Sequence, residues 1–342
     1  MFTLPLSWRI SLRRMAAQWL QEAQHNVAPK THQRYKEIVD LHLIPALGAL
    51  PLGKLQPSQV QAYYNKALSS GRRDGAGGLS AQTVVHHHRV LHVALKRARA
   101  LRLIAQNPVE DVSRPRVERQ EIEVLDQAEA AALLAAARGT RLFPTVVVAL
   151  GTGLRRGEIL GLRWSDIDLD QATLSVVQSL EQTKAGLRFK TPKTKRSRRT
   201  IALSPSLVEE LQAHRVKQAA ARLALGMGKA QLVFTTIDGD PIQPDSVTKM
   251  FARLVERAKV RPISLHALRH THATDLLRAG VHPKIVSERL LGHASIAITM
   301  DTYSHAIPGL QQDAAQRIDV ALRNAIAGSL GWQTGGKKAD SG

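Results

Sequence analysis

The chain has 342 residues, and its 48 Lys and Arg against 28 Asp and Glu give a formal net charge of +20. This length allows two or three domains, and such an excess predicts a polyanionic partner, either nucleic acid or an anionic membrane surface. The apolar run Val146–Leu150 is far shorter than the roughly 20 residues of a membrane-spanning helix, and Met1–Ile10 lacks a signal-peptide pattern. The absence of Cys excludes disulfides, thiolate metal sites and Cys nucleophiles. We therefore expect a soluble, intracellular protein that binds nucleic acid.

The first part of the chain, up to residue 112, is predicted to be almost entirely helical. Apolar spacing, Pro and Gly predict four helices, over Ser11–Gln24, from near Thr31 to a stop at Pro45 and Gly48, from Gln56-Pro57-Ser58 onward, and over Ser80–Leu103. Four cations near the end of the last helix are predicted to contact DNA phosphates: Lys96, Arg97, Arg99 and Arg102. Consecutive histidines point in different directions on a helix, so His86-His87-His88 and His92 predict a polar or DNA-facing surface rather than a metal site.

The second part follows a charged linker over residues 113–122, where no apolar period is present. A capping box at Asp126 and Glu129 predicts the start of its first helix. The other predicted elements are a helix over Phe143–Leu150, short strands over Thr173–Gln178, Leu187–Lys190 and Thr200–Leu203, and helices from Ser204 almost to Leu330. Residues 331–342 are expected to form a loose tail. The predicted fold class is mainly α with a small antiparallel β-sheet or hairpin.

A strongly basic segment, Gln182–Thr200, lies among the predicted strands. It contains no acidic residue and eight cations: Lys184, Arg188, Lys190, Lys193, Lys195, Arg196, Arg198 and Arg199. A charge run of this kind is often only a solvated surface. Eight cations without counter-charge would repel one another unless a polyanion lay against them, so we predict contact with DNA phosphates.

A second cluster, Ser264–His272, brings His266, Arg269 and His270 close together on a predicted helix. The spacing of the two histidines resembles a zinc-protease motif, but Ala267 stands where that motif has Glu, and Arg269 would repel a dication. A metal site is therefore not predicted. The cluster instead suits a phosphate, because a guanidinium can donate to two oxygens and an imidazole can donate or move a proton.

Two further segments contain candidate chemical groups. The glycines around 151–157 allow a sharp turn between helices, which would present Arg155 to a cleft with Glu158 placed to orient a neighbour. The segment lacks the preceding strand and third Gly of a dinucleotide fingerprint. Tyr303 stands in a polar stretch, away from the other tyrosines, which all lie in the first part of the chain. Beside two phosphate-binding clusters, this phenol is a candidate nucleophile for phosphoryl transfer.

Five segments in this order, TGLRRGEI, PKTKRSRRTI, HALRH, LLGH and DTYSH, resemble the motifs of the tyrosine recombinases, the phage-integrase family. The resemblance covers nearly the whole chain, since the first four helices look like that family's core-type DNA-binding domain. It implies a helical DNA-binding domain over residues 1–112, a linker over 113–122, an α+β catalytic domain over 123–330 and a tail over 331–342. Two departures are that Ala202 stands where the family often has Pro, and that Tyr303 lies one position further from His293 than in compact members.

The resemblance also implies a role for each site residue. Six residues would surround the scissile phosphate: Arg155, Lys193, His266, Arg269, His293 and Tyr303. Tyr303 would attack phosphorus to form a 3′-phosphotyrosine, the two arginines would neutralise transition-state charge, and Lys193, with Lys195 in reserve, would protonate the leaving 5′-oxygen. His266 and His293 would support the phosphate, and His266 is a candidate acceptor of the phenol proton. Glu158 would support the site, and no metal or other cofactor is implied, because the covalent link retains the bond energy.

The implied function is site-specific recombination of double-stranded DNA, to integrate or excise a mobile element. The implied partners are recombination sites, a homo-tetramer on DNA formed from monomers or weak oligomers, and an accessory DNA-bending or directionality protein, all in a bacterial cytoplasm at the nucleoid. Two alternatives stay open: a type IB topoisomerase-like nicking-closing enzyme and an inactive DNA-binding relative. The complete set of six argues against the second, and a C-terminal helix over Gln311–Leu330 that could dock on a neighbour argues against the first. About ten residues precede the first helix, too few for an arm-binding domain, so either this member lacks one or the start lies inside a longer chain.

Overall fold

The computed structural model describes residues 10–118, 123–191, 198–291 and 310–333. The chain forms two compact units, residues 1–120 and residues 121–342, called here the N-terminal and C-terminal units. Both consist mainly of helices, and small antiparallel sheets lie in the C-terminal unit, which confirms the predicted fold class. None of the described helices is long and apolar enough to cross a lipid bilayer.

The N-terminal unit is helical over its described residues. Its α-helices are α1 Leu12–Asn26, α2 Pro29–Ile38, α3 Ile44–Leu47, α4 Pro57–Ser70 and α5 Ala81–Ala100. Ser11 and Ser80 begin α1 and α5, because each hydroxyl accepts the backbone N–H three residues later. The apolar faces meet in one core that includes Trp19, Tyr64 and Leu95.

The second helix ends at Gly48, one of the two predicted stops, whereas Pro45 does not interrupt it. Helix α2 passes through a π turn, Val39–Leu43, directly into α3. In that turn the backbone N–H of Ile44 donates to the carbonyl of Val39, five residues earlier. Pro45, which has no N–H to donate, follows this turn in the first turn of α3. The helix therefore continues to Gly48, whose N–H donates to the carbonyl of Ile44.

The expected exposed histidine surface on α5 is also corrected. His87 is buried, with 1% of its surface exposed, and its Nδ1 lies 2.7 Å from the hydroxyl of Tyr63. The half-buried His88 makes the same contact with Tyr64 at 3.1 Å. Desolvation, with smaller effects from nearby positive groups, lowers the pKa of both imidazoles to about 4. The two rings therefore pack as neutral groups between α4 and α5, and only part of the histidine run faces solvent.

In its described residues the C-terminal unit combines helices with five short strands. The strands are β1 Ile167–Asp168, β2 Thr173–Val176, β3 Ser179–Thr183, β4 Gly186–Lys190 and β5 Arg199–Ala202. The helices are α6 Gln127–Ala137, α7 Phe143–Thr152, α8 Arg156–Leu160, α9 Pro205–Ala224, α10 Pro244–Ala258, α11 Ala267–Arg278, α12 Pro283–Leu291 and α13 Leu310–Gln333. The predicted capping box begins α6, because Asp126 and Glu129 each accept the other's backbone N–H.

The strands form two antiparallel sheets. One has the order β1-β2-β5, with Val176 opposite Arg199, and the other is the β3-β4 hairpin, with Ser179 opposite Lys190. Strand β3 was not predicted, because the residues of this strand, Ser-Leu-Glu-Gln-Thr, do not alternate between apolar and polar. The hairpin therefore begins earlier in the chain than expected and includes Glu181.

Packing around α11 determines where the candidate site lies. Helix α11 packs against α7 and α12, while α8 packs against β3, and α12 packs against β5. A small apolar cluster that includes Ala273, Val286 and Leu290 joins α11 to α12. The turn between α7 and α8, the start of α11 and the end of α12 thereby come together.

Helix α13 continues to Gln333, so residues 331–333 are helical rather than part of the predicted tail, and residues 334–342 lie outside the described residues. One Gly within a helix costs only about 1 kcal/mol, so Gly331 does not by itself end the helix. Large apolar side chains are exposed along α13, among them Ile318, Leu322 and Ile326, which are 67%, 57% and 51% exposed. Their spacing of four residues places them on one face.

Candidate active site

The turn between α7 and α8 presents Arg155. Gly153 ends α7 with a φ of +65°, in the left-handed region that favours glycine. A Cβ at this position would lie 2.3 Å from Cδ2 of Leu290 and 2.8 Å from Cδ2 of His272. Arg155 then occupies the N-cap position of α8, with 42% of its side chain exposed. This is the sharp glycine turn expected from the sequence, and only glycine fits it without strain or collision.

Glu158, in the first turn of α8, holds Arg155. Its carboxylate accepts the backbone N–H of Arg155 at 2.9 Å and Nη1 of the same residue at 3.0 Å. Arg199 on β5 donates to the same carboxylate through Nη2 at 2.8 Å and Nη1 at 3.3 Å. Burial alone would raise the pKa of Glu158, but the hydrogen bonds and charges of Arg199 and Arg155 lower it overall. Glu158 is therefore an ionised, buried carboxylate between two arginines.

The expectation that Arg199 contacts DNA is contradicted by its burial. Only 6% of its side chain is exposed, and besides Glu158 it donates from Nε to the backbone carbonyl of Arg289 at 2.8 Å. The basic segment does have a counter-charge, because Arg199 is paired with the carboxylate of Glu158. Glu158 lies 41 residues earlier, so no local sequence pattern predicts the pair. The adjacent Arg198 is exposed and stays a candidate phosphate contact.

Arg269 is the most buried arginine of the candidate set, with 2% of its surface exposed. It donates from Nη1 to the carbonyl of Gly153 and from Nη2 to the carbonyl of Leu290, both at 2.6 Å. One guanidinium therefore joins the end of α7 to the end of α12. The carbonyl of Gly153 lies at the C-terminal end of α7, where a cation also interacts favourably with the helix dipole.

His266 lies at the N-terminal end of α11, one turn before Arg269. Its ring meets that of His270 edge to face, with 4.9 Å between the centroids. Desolvation lowers the pKa of His266 most, followed by the charges of Arg269 and Arg155, while Glu158 acts in the opposite direction. Arg269 donates to the carbonyl of Gly153, two residues before Arg155, so His266, Arg269, Arg155 and Glu158 lie in one region of the C-terminal unit. A neutral imidazole beside two guanidinium groups can accept a proton.

Arg289 and His272 were not assigned roles from the sequence. Nε of Arg289 donates to Nε2 of His272 at 3.2 Å, and Nη2 donates to the carbonyl of Gly151 at 3.2 Å. Desolvation is the main cause that lowers the pKa of His272, to about 4, and burial also lowers the pKa of Arg289. Arg289 precedes the LLGH segment directly, but its sequence neighbours do not predict that it would reach α7.

The β3-β4 hairpin contains a second buried carboxylate. Glu181 is 8% exposed and accepts Nζ of Lys190 at 2.6 Å, while Nε of Arg188 lies 3.8 Å from its other oxygen. The counter-charge lies just outside the segment that was counted as purely basic. Lys190, predicted as a phosphate contact, is therefore already ion-paired, although its side chain is still 36% exposed.

Several predicted site residues lie outside the described residues. These are Lys193, Lys195 and Arg196 of the basic segment, together with His293 and Tyr303. Of the six proposed phosphate-binding or attacking residues, the described structure brings together Arg155, His266 and Arg269. It also adds Arg199 to the surroundings of Glu158.

The basic end of α5 is partly neutralised within the N-terminal unit. Arg97 donates to Glu22 on α1 at 2.6 Å, and Arg99 lies 3.5 Å from Glu110. Lys96 and Arg102 are exposed. The four cations are therefore unequal candidates for DNA contact.

No cluster of three or more His, Cys, Asp or Glu side chains suited to a metal ion occurs among the described residues. The basic surroundings of His266 and His270 agree with that finding, because Arg155 and Arg269 would repel a dication.

Sequence comparisons identify similar proteins for both units. Residues 123–308 match the profile of the phage integrase family, and residues 11–68 match its N-terminal SAM-like domain. The chain is 33% identical over 294 residues to a tyrosine recombinase XerC-like protein of Caldanaerobacter subterraneus. The aligned region covers 80% of this chain and 73% of that protein. It is 25% identical to the ICEBs1 integrase of Bacillus subtilis, with 92% and 84% of the two chains covered.

Structural comparison gives the same fold. The Tn1549 transposon integrase in complex with a circular intermediate DNA superposes with a TM-score of 0.74 at 23% identity, covering 90% of this chain and 99% of that one. The lambda integrase tetramer bound to a Holliday junction gives 0.65 at 20% identity, with 89% and 82% covered.

Proposed function

Because the chain belongs to the phage integrase family, and is thus a tyrosine-type recombinase that cuts and rejoins DNA, we propose that it moves a mobile element through a 3′-phosphotyrosyl intermediate. The observation that carries the proposal is the hydrogen bond from Arg269 to the Gly153 turn that presents Arg155, which groups both arginines with Glu158 and His266. Relatives named as the ICEBs1 integrase and the transposase from transposon Tn916 support this use of the activity over a nicking-closing enzyme.

In the proposed reaction the oxygen of Tyr303 attacks the scissile phosphorus in line, and the bond from phosphorus to the 5′-oxygen breaks. The phenol proton passes to His266, whose lowered pKa favours the neutral, proton-accepting form. Lys193, with Lys195 as the second candidate, donates a proton to the leaving 5′-oxygen. A second DNA end then reverses these steps and reseals the strand.

Arg155 and Arg269 are assigned to the non-bridging phosphate oxygens, with His293 as a further donor. Arg155 is half-exposed, so a phosphate can reach its guanidinium directly. Arg269 is buried and also joins two helix ends, so we assign it a double role: it holds the site together and neutralises transition-state charge. Glu158 supports the site by holding Arg155 rather than by touching DNA.

Covalent trapping tests the reaction. Nicked duplexes that carry the element–chromosome junction sequence are incubated with the protein in EDTA and analysed on a denaturing gel. A nick just beyond the cleavage point lets the short 5′-hydroxyl fragment diffuse away, so a protein–DNA adduct should accumulate. Tyr303→Phe should abolish the adduct, and an adduct that persists in this variant would contradict the assignment. An inactive DNA-binding relative would bind the duplex and form no adduct.

We assign DNA binding by the N-terminal unit to an arginine surface that the sequence analysis did not single out. The exposed arginines Arg34, Arg73, Arg89 and Arg114 form no ion pair among the described residues. Arg34 and Arg89 act electrostatically on His86, Arg89 and Arg114 act on His88, and Arg73 acts on His42, so their charges accumulate around one group of imidazoles. Such a concentration of charge without counter-ions is what a DNA backbone neutralises. Lys96, Arg102 and Arg198 are proposed as additional phosphate contacts.

We further propose that the protein forms a tetramer on DNA from monomers or weak oligomers, and acts on the bacterial chromosome in the cytoplasm with an accessory DNA-bending or directionality protein. The lambda integrase, a structural neighbour, is a tetramer on a Holliday junction. The exposed apolar face of α13 supports contact between copies. Ile318→Glu should weaken assembly on DNA, measured by light scattering, without reducing binding of one copy to a half-site.

A further inference from the structure

We propose that Arg199 is a positioning residue of the recombination reaction, which holds Arg155 through Glu158 and at the same time holds the last described turn of α12. The inference rests on the proposed function, in which Arg155 binds the scissile phosphate. It concerns a buried arginine that touches no DNA in this assignment.

The first link runs from β5 to α8. Arg199 donates two hydrogen bonds to the carboxylate of Glu158, and the same carboxylate accepts hydrogen bonds from the backbone and side chain of Arg155. Glu158 is 9% exposed on its side chain and Arg199 is 6% exposed, so water can replace little of this contact. Without Arg199, the buried carboxylate would retain only Arg155 as its cationic partner, and its burial would favour protonation. A protonated Glu158 would hold the guanidinium of Arg155 less tightly.

The second link runs from β5 to α12. Nε of Arg199 donates to the carbonyl of Arg289 at 2.8 Å, next to the Leu290 carbonyl that Arg269 holds at 2.6 Å. These two guanidinium groups therefore bind consecutive carbonyls in the last turn of α12 that the structure describes. Arg199 thus joins the position of Arg155 to the position of α12.

The geometry of the contact explains why an arginine is required. Its planar fork reaches both oxygens of Glu158 while Nε points to a different acceptor, and a lysine offers one ammonium group for all three. Catalysis depends on such placement, since a displacement of about 1 Å can reduce a rate roughly 100-fold.

The test separates cleavage from binding in the full chain. We expect Arg199→Gln to lower the single-turnover cleavage rate on the nicked substrate by roughly 10- to 100-fold. DNA affinity and its salt dependence should stay within about 3-fold of wild type, because no phosphate contact is lost. Arg199→Lys should recover only part of the rate. Arg261→Gln breaks an exposed Arg–Glu pair with Glu129 in the same unit and is the matched control, with wild-type cleavage expected.

A double-mutant cycle tests the route through Glu158. If Arg199 acts by holding Glu158, then Glu158→Gln combined with Arg199→Gln should slow cleavage hardly more than the worse single change. The double variant leaves no buried charge without its partner, so we expect it to fold even if Arg199→Gln alone does not. In that case the inference requires that the double variant cleave slowly and bind DNA with wild-type affinity. Wild-type cleavage by Arg199→Gln, a parallel loss of DNA affinity, or fully additive effects would overturn the inference. A wild-type protein that forms no adduct would instead refute the proposed function.

Discussion

Arginine is used in opposite ways in the two units. In the N-terminal unit Arg34, Arg73 and Arg89 are exposed, and their charges act on neighbouring histidines. In the C-terminal unit Arg199 and Arg269 are buried and donate to a carboxylate or to backbone carbonyls. The net charge of +20 is therefore not a uniform measure of DNA binding. We propose that some cations bind DNA, whereas others hold parts of the protein's own fold in place.

The largest effect should follow removal of a buried arginine. Arg269→Met leaves the carbonyls of Gly153 and Leu290 without their charged donor, at a cost of roughly 1.5–3 kcal/mol each. We expect the free energy of unfolding of the C-terminal unit to fall by about 3 kcal/mol or more and covalent cleavage to be lost, measured by urea titration and the adduct assay. Arg278→Met, an exposed position on the same helix, should change stability by no more than about 0.5 kcal/mol. Equal effects at the two positions would remove the distinction between structural and surface arginines.

The glycine turn that presents Arg155 should be the next most sensitive feature. Gly153→Ala combines a left-handed backbone with collisions against Leu290 and His272, so we expect a loss of about 2–4 kcal/mol. Gly226 has a similar φ of +68° but nothing within 4 Å of an added Cβ. Gly226→Ala should therefore cost only about 1–2 kcal/mol, the backbone contribution alone. If urea unfolding shows the same loss of unfolding free energy for both variants, close packing around Gly153 does not contribute to the cost of the substitution.

The N-terminal unit should lose stability in mild acid. The pKa of His87 is about 4 when folded and 6.5 in an unperturbed imidazole, so the unfolded chain binds more protons between these values. Stability is then complete above pH 6.5 and falls as the pH approaches 4. His87→Gln should reduce the slope of the unfolding free energy against pH by up to about 1.4 kcal/mol per pH unit. The exposed His25→Gln is the control, and an unchanged slope in His87→Gln would show that this ring is not buried as a neutral group.

The smallest effects should distinguish exposed arginines from one another. Arg89→Gln is expected to weaken DNA binding and to reduce the slope of log affinity against log salt by about 0.9, the value for one phosphate contact. Arg97→Gln should have a weaker effect, because Arg97 is paired with Glu22 at 2.6 Å. Fluorescence anisotropy with a junction duplex, between roughly 50 and 200 mM salt, measures both. A larger loss of DNA affinity for Arg97→Gln than for Arg89→Gln would contradict this assignment and favour DNA contact by the cations at the end of α5.

The sequence predicted the elements whose signals are local. Ser11, Ser80, Asp126 and Gly153 mark helix ends because a cap or a left-handed turn depends on a few neighbouring residues. It was wrong at Pro45, one of the two predicted stops, because the helix continues through the π turn to the other predicted stop, Gly48. It also missed β3, whose burial comes from packing against α8 rather than from an alternating pattern.

The order of motifs was sufficient to suggest the family, the reaction and the residues proposed to perform it, because residue types and their spacing are properties of the chain itself. Which cations face solvent was decided only by the tertiary structure. Arg198 and Arg199 are adjacent in sequence, yet one is exposed and the other is buried against Glu158. The partner that distinguishes them lies 41 residues away, and only folding brings its carboxylate within hydrogen-bonding distance.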